Sequence, residues 1–337
     1  MTKNTFKTIF WQTKMHSISF QNVKDLKKFS KRQEDMSNVL VNLTYCDNDN
    51  IDNNVELFKR ILRLNIRHTR VSRLSMDLFN LIFLDCSNTK VSLIPKELTK
   101  LRHLDCGSTS IVSIPKELAN LCHLDCSNTS IVTIPNEFTN LIYLNCSRTR
   151  VSRLPKGLIN LEKLFVDDTN ITEIPKEFSK LIELSCSFTQ VRVIPKEFGD
   201  LIELNCSFTQ ICVLPEELAK LRKLNCQSCL NLQYIPDTFV KLDELNVRAT
   251  RVDTISASFT KLTLLEINAL ERLPFTLSNL IFLYLDSDSY IYLQTNRAND
   301  YRRDITVRKK LLFYWYGKKT LSLDIIKLIC GCFNGWD

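Results

Sequence analysis

Apolar residues recur at a fixed spacing of twenty residues through the middle of the chain. The repeats begin at Leu81, Leu101, Leu121, Leu141, Leu161, Leu181 and Leu201. They follow the pattern L-x-x-L-x-C-S-x-T-x-(I/V)-x-x-(I/L)-P-x-x-(L/F)-x-x, whose positions we number 1 to 20. A fixed short period predicts a solenoid in which every repeat is one structural unit stacked on its neighbours.

The L-x-C core of each repeat predicts one short β-strand, and the strands of successive repeats should stack in parallel. Because side chains alternate along a strand, positions 4 and 6 should point into the core, while positions 3 and 5 point outward with positions 7 and 8 beyond them. The proline at position 15 has a fixed φ and no N–H, which suits the start of a short helical turn. Twenty residues leave no room for a long helix, so we expect 3-10 turns or extended segments there.

The unit resembles the leucine-rich repeat family, whose core reads L-x-x-L-x-L-x-x-N-x-L. Cysteine stands for the third leucine and threonine for the asparagine, as at Cys86 and Thr89. The unit is also similar to the short I-P repeats of bacterial effectors and of uncharacterised proteins from giant DNA viruses. The resemblance implies an α/β-type horseshoe with a concave parallel sheet and short convex segments. The threonine hydroxyl can donate and accept, so it should bond backbone groups in the turn after the strand.

The register of the repeat divides the chain into three parts. Residues 1–39 do not fit the unit and are predicted to form an N-terminal cap over the first strand. Residues 40–292 hold about twelve units or part-units, most regular over 61–240. Residues 293–337 are basic and aromatic, and are predicted to be either a C-terminal cap or a docking tail.

Charge is concentrated at the two ends of the chain, whose formal net charge is +8. Residues 1–39 contain eight basic and three acidic side chains, and residues 293–337 contain nine and four. The repeats between them are close to neutral, which argues against nucleic acid wrapping along the solenoid. Binding of nucleic acid or a membrane surface by the basic ends is the least favoured interpretation.

The thirteen cysteines mostly recur at the twenty-residue step. Neighbouring strands could bring two of them near disulfide distance, but a bridge also needs converging Cβ directions. We therefore expect small buried hydrophobic residues, which favours a reducing compartment. No signal peptide and no apolar stretch of membrane-spanning length is found, so the predicted location is the cytoplasm or nucleus.

Motifs that carry chemistry are missing from the sequence. There is no phosphate-binding glycine loop, dinucleotide fingerprint or nucleophile elbow. The pair Cys330 and Cys332 has no second pair at zinc-site spacing. We therefore expect no enzymatic activity, no catalytic residues, no cofactor and no metal.

The predicted partner-binding surface is the concave face, where outward positions form columns across the strands. Its candidate residues are Asp85, Asp105 and Asp125, His103, His123 and Tyr143, Arg148 and Arg150, Glu183 and Glu203, and Phe188 and Phe208. Stacked aspartates repel, so they are either balanced by a basic partner or cation, or copied as tolerable solvated residues. Protonated histidines could partly offset that charge. The two phenylalanines are either partner anchors or part of the loop core.

These features predict a non-enzymatic scaffold that binds another protein on the concave face. The alternative is a substrate-recognition adaptor of a ubiquitin ligase. The stretch from Leu321 to Ile329 resembles the start of an F-box, which begins L-P-x-(D/E)-(I/V)-I-x-x-I, although Ser322 stands where proline is usual. That resemblance implies contact with a ubiquitin-ligase core through residues Leu323 to Ile329.

Overall fold

The computed structural model describes residues 16–19, 39–43, 59–268, 274, 276–286 and 289–292. They fall into two compact units. The first unit is Met1–Leu181 with Phe188–Gln190, and the second is Ile182–Ser187 with Val191–Asp337. The tail at 293–337, with its F-box-like stretch, lies outside the described residues, as do most of the residues assigned to the N-terminal cap.

The first unit is built on a parallel sheet of eight strands in chain order. The strands are β1 (His16–Ser19), β2 (Val39–Asn42), β3 (Arg63–Asn65), β4 (Phe83–Asp85), β5 (His103–Asp105), β6 (His123–Asp125), β7 (Tyr143–Asn145) and β8 (Lys163–Phe165). From β3 onward each residue pairs with the residue one repeat away, so that Leu84 lies beside Leu104. Equivalent positions of successive repeats therefore form continuous columns across this sheet.

The second unit repeats the arrangement with seven strands in chain order. They are β9 (Glu183–Ser185), β10 (Glu203–Asn205), β11 (Lys223–Asn225), β12 (Glu244–Asn246), β13 (Leu264–Glu266), β14 (Phe282–Asp286) and β15 (Ser289–Tyr292). Strands β9 to β14 are parallel, and β15 runs antiparallel to β14. The added residue near 231 leaves the register intact, since Leu224 still pairs with Leu245.

The seven regular repeats from Leu81 to Lys220 bury the same six apolar positions, 1, 4, 6, 11, 14 and 18. In the repeat from Leu121 to Asn140, no buried apolar side chain is more than 5% exposed. At about 1.5–3 kcal/mol for each buried aliphatic or aromatic side chain, burial is the main favourable contribution of a repeat. The predicted solenoid fold, with positions 4 and 6 pointing into the core, is thus confirmed.

Two side-chain ladders hold neighbouring backbone segments in place. Thr129 donates its hydroxyl to the carbonyl oxygen of Cys126 at 2.6 Å, and the equivalent threonines do the same. The predicted role of position 9 is therefore confirmed. At position 20, Asn120 donates to the carbonyl oxygen of Thr99 in the preceding repeat at 2.9 Å, as do Asn80, Asn140 and Asn160 to theirs. This asparagine ladder was not expected from the sequence.

The side opposite the strands consists of tight turns. The amide of Leu98 donates to the carbonyl oxygen of Pro95, a 3-10-type bond that recurs after nearly every proline of position 15. The expected 3-10 or extended segments are thus confirmed, and Met76–Leu78 forms a 3-10 helix. In the part of the chain that is described, no helix has the length and apolarity to cross a bilayer.

Candidate functional site

The outward side of the sheet in the first unit, which we call the strand face, presents two neighbouring columns of candidate residues. Position 3 contributes Phe83, His103, His123 and Tyr143 from β4 to β7. Position 5 contributes Asp85, Asp105, Asp125 and Asn145 from the same strands. The in-register pairing of β4 to β7 places the members of each column side by side.

The position-3 rings form a continuous stack. Phe83 and His103 have ring centroids 4.4 Å apart, His103 and His123 are 3.9 Å apart, and His123 and Tyr143 are 4.0 Å apart. The interplanar angles are 16°, 12° and 7°, so the rings lie nearly parallel. Both faces of each histidine ring are therefore covered by neighbouring rings, and only ring edges remain to contact a partner.

The two histidines are electrically neutral at physiological pH. Burial lowers the pKa of His103 to about 3, and it lowers the pKa of His123 to about 4 against the opposing effect of Asp125. The expectation that histidine protons offset the aspartate charge is therefore wrong. A neutral imidazole instead offers one hydrogen-bond donor and one acceptor at its edge.

The position-5 carboxylates cap the turn that follows each strand. Oδ1 of Asp85 accepts hydrogen bonds from the Ser87 amide at 3.0 Å and from its hydroxyl at 2.7 Å. Oδ1 of Asp125 accepts the same two bonds from Ser127, at 2.9 and 2.7 Å. The column points away from the core but is not freely solvated, since Asp85 is only 7% exposed.

Asp105 is the central member of the aspartate column, and the carboxylates of Asp85 and Asp125 on either side repel its negative charge. Burial raises its pKa, the Asp85 and Asp125 carboxylates raise it further, and the result is about 7. The Gly107 amide, which donates to Oδ1 at 3.1 Å, and the more distant Arg67 act in the opposite direction. About half of the Asp105 side chains are therefore protonated near neutral pH.

Position 8, just beyond each strand, has a left-handed backbone. Ten described residues there have φ between 52° and 59°, although none is glycine. Asparagine tolerates this conformation, but bulky side chains adopt it at a cost of about 1–2 kcal/mol. Arg148, Phe188 and Phe208 are among these bulky residues. The sequence does not mark this requirement, because glycine, the usual signal for it, is not used at position 8.

Phe188 and Phe208 are 57% and 41% exposed, so the interpretation that they belong to the loop core is wrong. Phe188 falls in the first unit and Phe208 in the second. Arg148 and Arg150 are exposed in the turn that follows β7. These side chains are available at the surface but are not part of the ring stack or the aspartate column.

Glu183 and Glu203 occupy position 3 of the second unit, on β9 and β10. The same column continues to Lys223, which forms an ion pair with Glu244 at 3.3 Å. Hydrogen bonding and attraction from Glu244, together with Glu203, raise the pKa of Lys223. One ion pair therefore offsets part of the negative charge of this column, and Asn205 and Asn225 stand at position 5 where the first unit has aspartates.

The ten described cysteines are all free thiols. Those at position 6 are buried, as expected, and burial raises the pKa of thiols such as Cys106 and Cys146. Cys229 replaces the threonine of position 9, and its sulfur lies 3.3 Å from the Thr209 hydroxyl. Its thiol donates to the Cys206 carbonyl oxygen at 3.1 Å, so it lies beside the buried column.

No group of three or more histidine, cysteine, aspartate or glutamate side chains is arranged to hold a metal within the described ranges. What the strand face offers is a strip of polar ring edges beside a row of carboxylates, on a backbone fixed by the stacked repeats. This arrangement can bind and orient a ligand.

The repeat pattern and the stacked parallel strands resemble those of leucine-rich repeat proteins. The family model for the Leucine Rich Repeat matches residues 120–141, which is one repeat. An internalin (InlF) of Listeria monocytogenes has a similar structure, with 22% sequence identity, a TM-score of 0.64, and coverage of 73% of this chain and 80% of the internalin. This likeness shows the fold alone.

Two further solved structures share the fold. The leucine-rich effector protein YopM of Yersinia pestis is 18% identical, with a TM-score of 0.60 and coverage of 67% of this chain and 66% of YopM. The functional domain of InlJ from Listeria monocytogenes, described as including a cysteine ladder, is 18% identical, with a TM-score of 0.57 and coverage of 71% and 66%. A search of curated proteins finds no significant match.

Proposed function

We propose that the chain is a non-enzymatic interaction scaffold that binds another protein on the strand face. The observation that carries this proposal is the ring stack from Phe83 to Tyr143 beside the column from Asp85 to Asp125. These residues contribute little to the core, because the core is formed by positions 1, 4, 6, 11, 14 and 18. Their side chains occupy a broad, rigid surface with both polar and apolar atoms, as protein interfaces do.

Position 8 adds support from backbone strain. Phe188 and Phe208 adopt a left-handed conformation that disfavours aromatic residues, and yet both are largely exposed. The turn imposes this backbone at position 8 of ten repeats, and a bulky exposed residue kept there at a cost is typical of residues retained for binding. The buried free thiols further support a reducing compartment as the place where the scaffold acts.

The test compares the wild-type chain with two variants, one that changes charge on the strand face and one that changes charge on the turn side of the same repeats. The strand-face variant carries His103→Lys and His123→Lys, which position 3 tolerates since Lys163 and Lys223 stand there in other repeats. The control carries Glu117→Lys and Glu137→Lys, which alter the exposed turn side. Circular dichroism first verifies that both variants are folded.

Proteins captured from a lysate are then identified by mass spectrometry and cross-linked to the immobilised chain. We expect the strand-face variant to capture at least tenfold less of a partner that the control captures as well as the wild type does. Cross-links between the wild-type chain and that partner should lie near β4 to β7. A partner lost with the turn-side control and kept by the strand-face variant would refute the proposed surface.

A further inference from the structure

The chemistry of the strand face restricts what can bind to it. Because the imidazole rings of His103 and His123 are stacked on both faces, a cation cannot lie over either ring. Their edges present one donor and one acceptor each, and Tyr143 adds a phenolic edge. These groups match the N–H and C=O groups of an extended peptide backbone, which are spaced regularly along one side of the chain.

The neighbouring column supplies uncompensated negative charge. Oδ1 of Asp85 and Asp105 is engaged by the turn, while Oδ2 of each accepts no hydrogen bond from the described residues. Oδ2 of Asp125 accepts from the Asn145 side chain at 2.9 Å, a neutral donor. Three carboxyl groups therefore lie on adjacent strands, each about 4.8 Å from the next, and the central one, Asp105, is about half ionised near neutral pH.

We propose that this surface binds an extended segment of another protein that carries lysine or arginine at alternate positions. This inference rests on the proposed function and specifies the partner's chemistry. The basic side chains would lie along Asp85, Asp105 and Asp125, and the partner's backbone would hydrogen-bond to the ring edges of His103, His123 and Tyr143.

The dimensions of the two chains agree. The aspartate column spans about 9.6 Å over two strand intervals, and side chains two residues apart in an extended segment are about 6.6 Å apart. Two basic side chains thus fit within the column, and their long flexible stems let each charged group lie between two carboxylates. Complementary charge of this kind favours the correct partner and repels acidic ones.

The same charges select against other ligands. A nucleic acid would bring its phosphates against three carboxylates, which is repulsive. A partner's basic groups, in contrast, relieve the mutual repulsion of the aspartates and favour their ionised form. Binding should therefore release protons near neutral pH and become tighter as the pH rises.

The groups that face Asp105 make this dependence specific. Asp85 on β4, Asp125 on β6 and Arg67 in the turn after β3 all influence its charge, and raise its pKa to about 7 in sum with burial. His103 and His123 in the adjacent column stay neutral throughout, as their pKa values lie near 3 and 4. About a tenth of Asp105 is ionised at pH 6 and about nine tenths at pH 8, so affinity should rise up to about tenfold.

The test uses the full chain and three synthetic peptides of eleven residues. They alternate serine with lysine, with glutamine or with glutamate, and fluorescence polarisation measures binding at pH 6 and pH 8. The test variant carries Asp105→Asn and Asp125→Asn, because asparagine keeps the turn bond at position 5, as Asn205 does with Ser207. The matched control carries Glu117→Gln and Glu137→Gln, with the same change in net charge.

We expect the lysine peptide alone to bind, at least tenfold more weakly to the test variant than to the control, and more tightly at pH 8. Equal weakening by both variants, or equal binding of the glutamine peptide, would overturn the inference. So would displacement of the lysine peptide by a uridine oligonucleotide, or a carboxyl–amine cross-link joining the aspartate column to the chain's own Lys309 or Lys310. If no peptide binds, but the lysine variants at His103 and His123 still lose a captured protein, only this inference fails and the proposed function stands.

Discussion

Replacing Asp105 with asparagine should stabilise the protein, and more so as the pH rises. The raised pKa means that the folded chain holds a proton at Asp105 that the unfolded chain has lost above about pH 4. A raised folded-state pKa contributes stability that is present below the unfolded value and is lost as the pH passes through the folded value. The wild type should therefore lose this contribution between about pH 4 and pH 7, whereas the Asp105→Asn variant should not.

The size of the effect follows from the two pKa values. With a folded pKa of about 7 and an ordinary aspartate pKa of 3.8, linkage gives a wild-type loss of about 2–3 kcal/mol between pH 5 and pH 8. Asp105 is partly open to solvent, and screening of its neighbours' charges reduces this to about 1–2 kcal/mol. The asparagine amide can also donate to a neighbouring carboxylate, as Asn145 does to Asp125 at 2.9 Å.

The assay is urea unfolding followed by far-ultraviolet circular dichroism, with wild type and variant compared at pH 5 and pH 8. Subtracting the wild-type free energy of unfolding from that of the variant cancels the contribution of every group that titrates alike in both chains. The window from pH 5 to pH 8 also lies above the folded-state pKa values of His103 and His123. Asp237→Asn, at an exposed position in a turn, is the matched control for the loss of one carboxyl group. A variant advantage that is constant with pH, or larger at pH 5, would refute the linkage between Asp105 and its neighbours.

Three further outcomes are expected. The imidazole signals of His103 and His123 should not titrate between pH 5 and pH 8 by NMR, unlike the urea-unfolded chain, and stability should fall as the pH drops from about 6.5 toward their lowered pKa values. Thr129→Val should cost about 1–3 kcal/mol in urea unfolding because the Cys126 carbonyl loses its donor, while Thr133→Val at an exposed position should change stability by less than about 0.5 kcal/mol. Cys212, the exposed thiol, should react with iodoacetamide before the other described cysteines, and prior labelling of Cys126 would contradict the described burial.

The repeat pattern predicts the fold well because one set of apolar positions serves every repeat. Leu84, Leu104 and Leu124 pair in register as the twenty-residue period requires. The asparagine ladder at position 20 escaped the sequence analysis because Asn120 alternates in that column with residues such as Lys100. A column that mixes residue types gives no periodic signal, although its asparagines share one hydrogen-bond geometry.

The surface chemistry was less predictable than the fold. The columns at positions 3 and 5 follow from strand alternation, but the stacking of Phe83 on His103 depends on rotamers that the sequence does not specify. The neutrality of the histidines follows from that stacking, because it is burial that lowers their pKa values. The exposure of Phe188 and Phe208 follows from a left-handed backbone that no glycine marks.

At position 5 the fold requires a hydrogen-bond acceptor, whereas the negative charge of an aspartate there is an additional property of the surface. The turn requires an oxygen that accepts from the position-7 amide, and Asn145 and Asn225 supply it without charge. The turn therefore does not explain why three successive repeats use aspartate, whose mutual repulsion opposes folding near neutral pH. Either the repeats were copied with a tolerated carboxylate, or the charges are kept for a cationic partner. If the Asp105→Asn variant is more stable and still binds the lysine peptide, the aspartates are explained as copied, tolerated carboxylates. If it is more stable but no longer binds the peptide, the charges are explained as kept for a cationic partner, because stability and binding then make opposite demands on one residue.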